Sequence, residues 1–164
     1  MRLPRGAGTC RSASATERDH GHAEAFGPEW PARNECMLTL TEDRAAIRDL
    51  LARYCHSFDR GDADGVADLF TEDGVFDPGV AGFEPVEGRE VIRGFVGSMP
   101  AGMVHHMTTD AAYDVDGDVA TGVASFLVVA QGAIVTVGRY HDDLVRADGA
   151  WRLRRRVAVG DATA

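Results

Sequence analysis

Tyr54 and Asp59, within Arg53-Tyr54-Cys55-His56-Ser57-Phe58-Asp59-Arg60-Gly61-Asp62, and the downstream pair His105-His106 are the side chains best suited to moving protons. A phenol that donates a hydrogen bond, a carboxylate that holds an imidazole and the imidazole itself make a set for general acid–base catalysis, provided an apolar framework brings them together. Successive side chains on a strand face opposite ways, so His105 and His106 enter one pocket only if a bulge intervenes. No metal site is therefore expected of them, and neither HExxH nor CxxC occurs in the chain. One of the two histidines should face solvent or the helices and the other the interior.

Each candidate has a plainer reading. An inward histidine on a strand is often a hydrogen-bonded core residue, and Tyr54 lies on the apolar stripe of a helix, where a packed ring suffices. Asp59 sits near that helix's C-terminus, where the macrodipole disfavours a carboxylate, so it needs a compensating partner. A histidine would serve, as would the turn around Gly61. Arg155 shares the apolar phase of the last strand with Trp151, Leu153, Val157 and Val159, which predicts either substrate binding or an ion pair with Asp142 or Asp143. His141 is expected in the sheet interior or at a subunit interface. Cys55 reads as a small buried residue.

The elements that would position these groups follow from periodicity. Residues 1–38, rich in Gly, Pro, Ser, Ala and charge, show neither a helix nor a strand period and are expected to be a disordered extension, with Met37 standing directly before the patterned chain. From Thr41, a cap with Glu42 and Asp43 in the first turn, Ile47, Leu50, Leu51, Tyr54 and Phe58 recur at helical spacing up to Gly61. Asp62 caps a short second helix through Val66, Leu69 and Phe70. Thr71 to Gly74 reads as a turn, Val75-Phe76 as a short strand, and 77–88 as an irregular loop. A third helix spans about 89–98 and stops at Pro100. Strands at about 103–115, 119–131, 133–146 and 151–159, reversing at Asp116-Gly117, Gly132 and Asp148-Gly149, form an antiparallel meander. Helices first and a curved sheet afterwards make an α+β fold.

Composition narrows the function classes. With 164 residues, 45% of them hydrophobic, the chain suits one domain, and 17 basic against 26 acidic residues leave a net charge of -9. No general attraction to nucleic acid or anionic membranes is expected. Every basic residue is Arg, which excludes Schiff-base and P-loop lysine chemistry. Three irregularly spaced cysteines suggest neither a disulfide framework nor a zinc ribbon, and point to a reducing cytoplasm.

From Thr41 to Val159 the order and spacing of residues 47–54, 58–62, 69–77, 88–92, 105–107, 116–118 and 148–153 resemble the SnoaL-like branch of the nuclear-transport-factor-2-like superfamily. The resemblance implies a cone-shaped α+β barrel over 39–160, followed by a tail at 161–164. A strongly curved mixed sheet would wrap three helices around an apolar pocket, and the protein would be a homodimer or higher homo-oligomer. Scytalone dehydratase and bile-acid dehydratase are similar in having a Tyr on the first helix, an Asp after it and a His on the first long strand, positions matched by Tyr54, Asp59 and His106. Asp110 departs from the small or amide residue found four positions after that His, and no second His stands near Val128 or Val129. The exact dehydration reaction therefore does not transfer. The resemblance implies a lyase or isomerase without metal or organic cofactor, acting on a hydrophobic oxygenated ring compound such as a polyketide or steroid. Two alternatives remain: a ketosteroid-isomerase-like enzyme using Asp77 as its base, and a non-catalytic ligand-binding or assembly subunit.

Overall fold

The computed structural model describes residues 30–80 and 82–161, with side chains from residue 39 onward. The expected disorder of residues 1–29 and the tail at 162–164 lie outside the described residues, as do Cys10 and the Cys36 side chain. The elements are α1 (Trp30–Arg60), α2 (Ala63–Ala67), β1 (Phe70–Asp77), β2 (Val86–Glu87), α3 (Arg89–Gly97), β3 (His105–Asp116), β4 (Val119–Ala130), β5 (Ala133–Ala147) and β6 (Ala150–Gly160). The first helix begins at Trp30 instead of Thr41. Residues 32–40 contain strong helix formers such as Ala32, Arg33, Glu35, Met37 and Leu38, so the backbone continues upstream although no apolar period announces it.

Among the described residues the six strands run in the order β2-β1-β6-β5-β4-β3, an open mixed sheet in which the β1–β6 pair is parallel and the other pairs antiparallel. Ile47, Leu50, Leu51 and Tyr54 of α1 pack with Ile92 and Val96 of α3 and with Tyr140, Leu144 and Leu153 of the sheet in one buried cluster. At the other end of the sheet Asp43 ties α1 down, accepting hydrogen bonds from Arg146 Nη2 at 2.5 Å and Trp151 Nε1 at 3.3 Å.

Two expectations are corrected by β-bulges. The turn read at Thr71 to Gly74 is an irregular part of β1, whose pairing with β6 shifts between Phe70 and Val75. In β6 the register jumps from Leu144↔Leu153 to Asp143↔Arg155, leaving Arg154 as an extra residue. That insertion reverses the alternation, so Trp151 and Leu153 face the core on one side of it and Arg156 and Ala158 on the other. Arg155 is exposed, and Arg156 is the buried arginine. The ion pair forms with Asp142, through Arg156 Nε and Nη2 at 2.8 and 2.7 Å.

Candidate functional site

Asp59 meets His106 because of how α1 ends. The N–H of Asp62 bonds the carbonyl of Ser57 at 2.9 Å and that of Gly61 bonds Phe58 at 3.0 Å, a Schellman pattern with Gly61 at φ +70°. Gly102 then donates to the Asp59 carbonyl at 2.8 Å, which lays the segment leading into β3 across the helix terminus. A Cβ at position 61 would stand 2.8 Å from that of Ala101, so the approach requires glycine.

β3 is an edge strand, and its outward N–H groups have no strand partner. Asp59 takes up the one on His106, accepting from the main-chain N–H at 3.1 and 3.0 Å with its two oxygens, and also holds the ring at 2.6 Å between Nδ1 and Oδ1. A carboxylate accepts only, so Nδ1 carries the hydrogen, and in the neutral ring Nε2 is the basic nitrogen. Phe58 stands edge-on to the imidazole at 5.0 Å, restricting its rotation. Both partners are mostly buried, at 12% and 13% side-chain exposure for His106 and Asp59.

His106 opens onto a cavity of about 300 Å³ beneath the concave face of the sheet. Its walls are Phe58, Phe76, Phe95, Phe126, Met99 and Val128, and its mouth is edged by Val80 and Phe83 of the 78–85 loop. Tyr54 lines it from α1, and Tyr140 and Thr136 from β5. Asp59 does not line this cavity. It stands behind His106 and opens instead to a wider outer hollow with His56, Arg60 and His105. The three groups singled out in the sequence thus converge as a chain: phenol and imidazole in the cavity, carboxylate behind the imidazole.

The remaining candidates fall elsewhere. His105 is 75% exposed, with Nδ1 3.8 Å from Asp59 Oδ2. His141 is exposed on the outer face between Val123 and Val157. Asp77 lies outside the cavity lining, and its Oδ1 accepts the Gly79 N–H at 2.9 Å, shaping the loop that edges the mouth. Cys55 is buried, and burial pushes its thiol pKa up. Among the described residues no group of three or more His, Cys, Asp or Glu is placed to hold a metal ion.

Sequence reasoning missed Arg156 and Tyr140. The Arg156 guanidinium sits in the angle between two rings set edge to face, 4.3 Å from the centroids of both Tyr54 and Tyr140. Burial by itself would lower its pKa, but the Asp142 carboxylate reverses this and the net shift is upward. Tyr113 completes the network by donating to Asp142 at 2.5 Å. Burial drives Tyr54 well above the ordinary tyrosine value, with the Tyr140 ring adding to the effect and Arg156 opposing it, and burial raises Tyr140 likewise. Both phenols therefore remain hydrogen-bond donors across the physiological range. Tyr140 alternates in phase with Asp142 and Leu144, a signal present in the sequence; the burial of Arg156 is hidden by the bulge.

A profile described as a SnoaL-like domain matches residues 39–157. None of the curated proteins matches the chain. Among solved structures, an Asp-to-Asn variant of Rv3472, a function-unknown protein from Mycobacterium tuberculosis, is 34% identical, with 76% of this chain and 79% of that one covered and a TM-score of 0.68. An NTF2-like protein with a cystatin-like fold from Novosphingobium aromaticivorans is 30% identical over 84% of this chain and 95% of its own, at TM-score 0.74. A protein from the same organism described as an aromatic ring hydroxylase is 31% identical over 75% and 92%, at 0.63. Among the described residues no helix is long and apolar enough to cross a membrane.

Proposed function

Because the chain belongs to the SnoaL-like domain family, and because its cavity histidine is held by a carboxylate through Nδ1, we propose that it is a small-molecule lyase or isomerase working by acid–base chemistry on a hydrophobic oxygenated ring compound. No metal or organic cofactor takes part in the proposed steps. The observation that carries the reading is the 2.6 Å bond between His106 and Asp59 at the wall of an apolar cavity. Nε2 of His106 removes a proton from carbon next to a carbonyl. Asp59 fixes the tautomer and stabilises the imidazolium that results, while Tyr54, protonated and facing the same space, donates to the developing enolate oxygen. The imidazolium then returns its proton, either to a departing hydroxyl as a lyase or to another carbon as an isomerase.

The test is deuterium uptake from heavy water by cyclic ketones, followed with product mass. Loss of water marks dehydration, and unchanged mass apart from exchange marks isomerisation. His106→Ala is expected to lower the rate by ~10²–10⁴. Retention of activity in that variant, or no exchange with any cyclic ketone, would leave the ligand-binding alternative. The Asp77 alternative has less support, since that carboxylate caps Gly79 outside the cavity. The outer sheet face exposes Met107, Ile134, Val135, Val137 and Val159, and the proposed homodimer forms there; a monomeric mass by light scattering would reject it.

A further inference from the structure

Asp59 touches two histidines, and one of them lies outside the cavity. Its Oδ1 meets His106 Nδ1 at 2.6 Å, while its Oδ2 lies 3.8 Å from Nδ1 of His105. Consecutive residues on a strand send their rings to opposite faces, so one carboxylate reaches both by standing at the strand's edge. The turn that ends α1 puts Asp59 there, beside the first two residues of β3. The two contacts differ in kind. Oδ1 accepts from His106 Nδ1 and from the main-chain N–H at 3.1 Å, whereas Oδ2 accepts from that N–H at 3.0 Å and has an acceptor position to spare. At 3.8 Å the His105 ring is beyond hydrogen-bond reach, so it acts on the carboxylate through charge alone. A neutral imidazole there does little. A protonated one sets a positive charge beside the group that stabilises positive charge on His106.

The other groups around His105 do not duplicate this. His56 and Arg60 reach the outer hollow from α1, Ala101 and Gly102 complete it without charge, and across the ladder His105 faces Val129 of β4. An arginine is charged at every pH a protein meets, so Arg60, whose Nη2 lies 3.7 Å from Asp62, adds a constant field. His56 is the other imidazole of the hollow, but among the described residues the ion-pair distances at Asp59 are to His105 and His106.

We propose that His105 is a positioning residue that acts on His106 through Asp59: once protonated, it draws on the shared carboxylate, makes a second positive charge on His106 harder to form, and so keeps the base free of its proton in mildly acid solution. This inference rests on the acid–base reading of His106 and adds to it a control placed on the outer face. Two sites that share one counter-charge titrate as a pair, so the influence is mutual. Because the His105 side chain is 75% exposed, water and salt screen its charge, and the effect is about two- to threefold, below what a buried pair would give.

Nitrogen NMR of the imidazole rings tests this on the full chain, titrated from about pH 8 to about pH 5, with the His106 signals assigned by their loss in His106→Gln. In His105→Gln, shown to be folded by its main-chain amide spectrum, the ratio of protonated to neutral His106 on the acid side is expected to rise about two- to threefold in dilute buffer. Variant and parent should nearly coincide at about 1 M salt, where exposed charges are screened. His56→Gln should leave the His106 signals on the parent curve. An unaltered ratio in His105→Gln, a difference that persists at about 1 M salt, or an equal change in His56→Gln would overturn the inference. Deuterium uptake by a cyclic ketone supplies the kinetic counterpart: the loss of rate between about pH 8 and about pH 5.5 should be about two- to threefold greater in His105→Gln. If no ketone exchanges, the acid–base reading fails by itself, because the ring nitrogens report the coupling without turnover.

Discussion

Asp59 does two jobs with one carboxylate: it satisfies the edge-strand N–H of His106 and holds that residue's ring. Ring and backbone are thereby fixed to the same anchor, which gives the imidazole the definite aim a general base needs. On the opposite side, Tyr54 and Tyr140 offer two donors, and their common contact with Arg156 couples them. Tyr54→Phe is expected to reduce kcat by ~10²–10³ with KM little altered, the usual effect of deleting one donor to a developing oxyanion. Tyr140→Phe should reduce it less, and a steady-state comparison in which Tyr140→Phe is the more damaging change would transfer the donor role to Tyr140. These residue types were legible from the sequence because Tyr54 fell on a helical stripe and Asp59 sat where a helix disfavours it. Between His105 and His106, strand phase says that they diverge but not which one turns inward, and only the family resemblance pointed to His106.

At the scale of elements, the bulge in β6 decides what the sheet buries. Asp142→Ala should destabilise the fold by about 3–5 kcal/mol in urea unfolding, because it strands the guanidinium of a fully buried Arg156. Arg155→Ala, one residue earlier, should stay within about 0.5 kcal/mol of the parent, as exposed positions usually do. A large effect at Arg155 with none at Asp142 would mean that the strand is not bulged. Alternation located the strands, and the hairpin dipeptides located their reversals: Asp148 and Gly149 both take positive φ, at 51° and 78°, as a two-residue turn requires. Counting by twos fails past an inserted residue, and three consecutive arginines offer no change of residue type to mark where the count slips. The early start of α1 was hidden for a different reason, since composition favouring a helix leaves no periodic trace without an apolar face.

For the whole molecule, the buried tyrosines link stability to alkaline pH. Burial raises Tyr54, Tyr113 and Tyr140 above their unfolded value of about 10. The folded state then keeps protons that the unfolded chain releases, so the contribution is fully present below about pH 10 and is lost as pH rises beyond it. Urea midpoints measured between about pH 9 and about pH 11 should fall across that interval, and fall less steeply in Tyr113→Phe; a flat profile would show that these phenols ionise as freely in the fold as outside it. Shape and charge act together at this scale, for the apolar hollow and the outward-facing aliphatic patch lie on opposite faces of one curved sheet. The irregularity at Arg154 also gives this chain an unusual tolerance. Since positions 154 to 156 are all arginine, dropping any one of the three codons yields the same shorter polypeptide, which can re-form a continuous ladder with Leu153 and the two surviving arginines opposite Leu144, Asp143 and Asp142. A one-residue loss that would turn most strands inside out is here absorbed as a straightening.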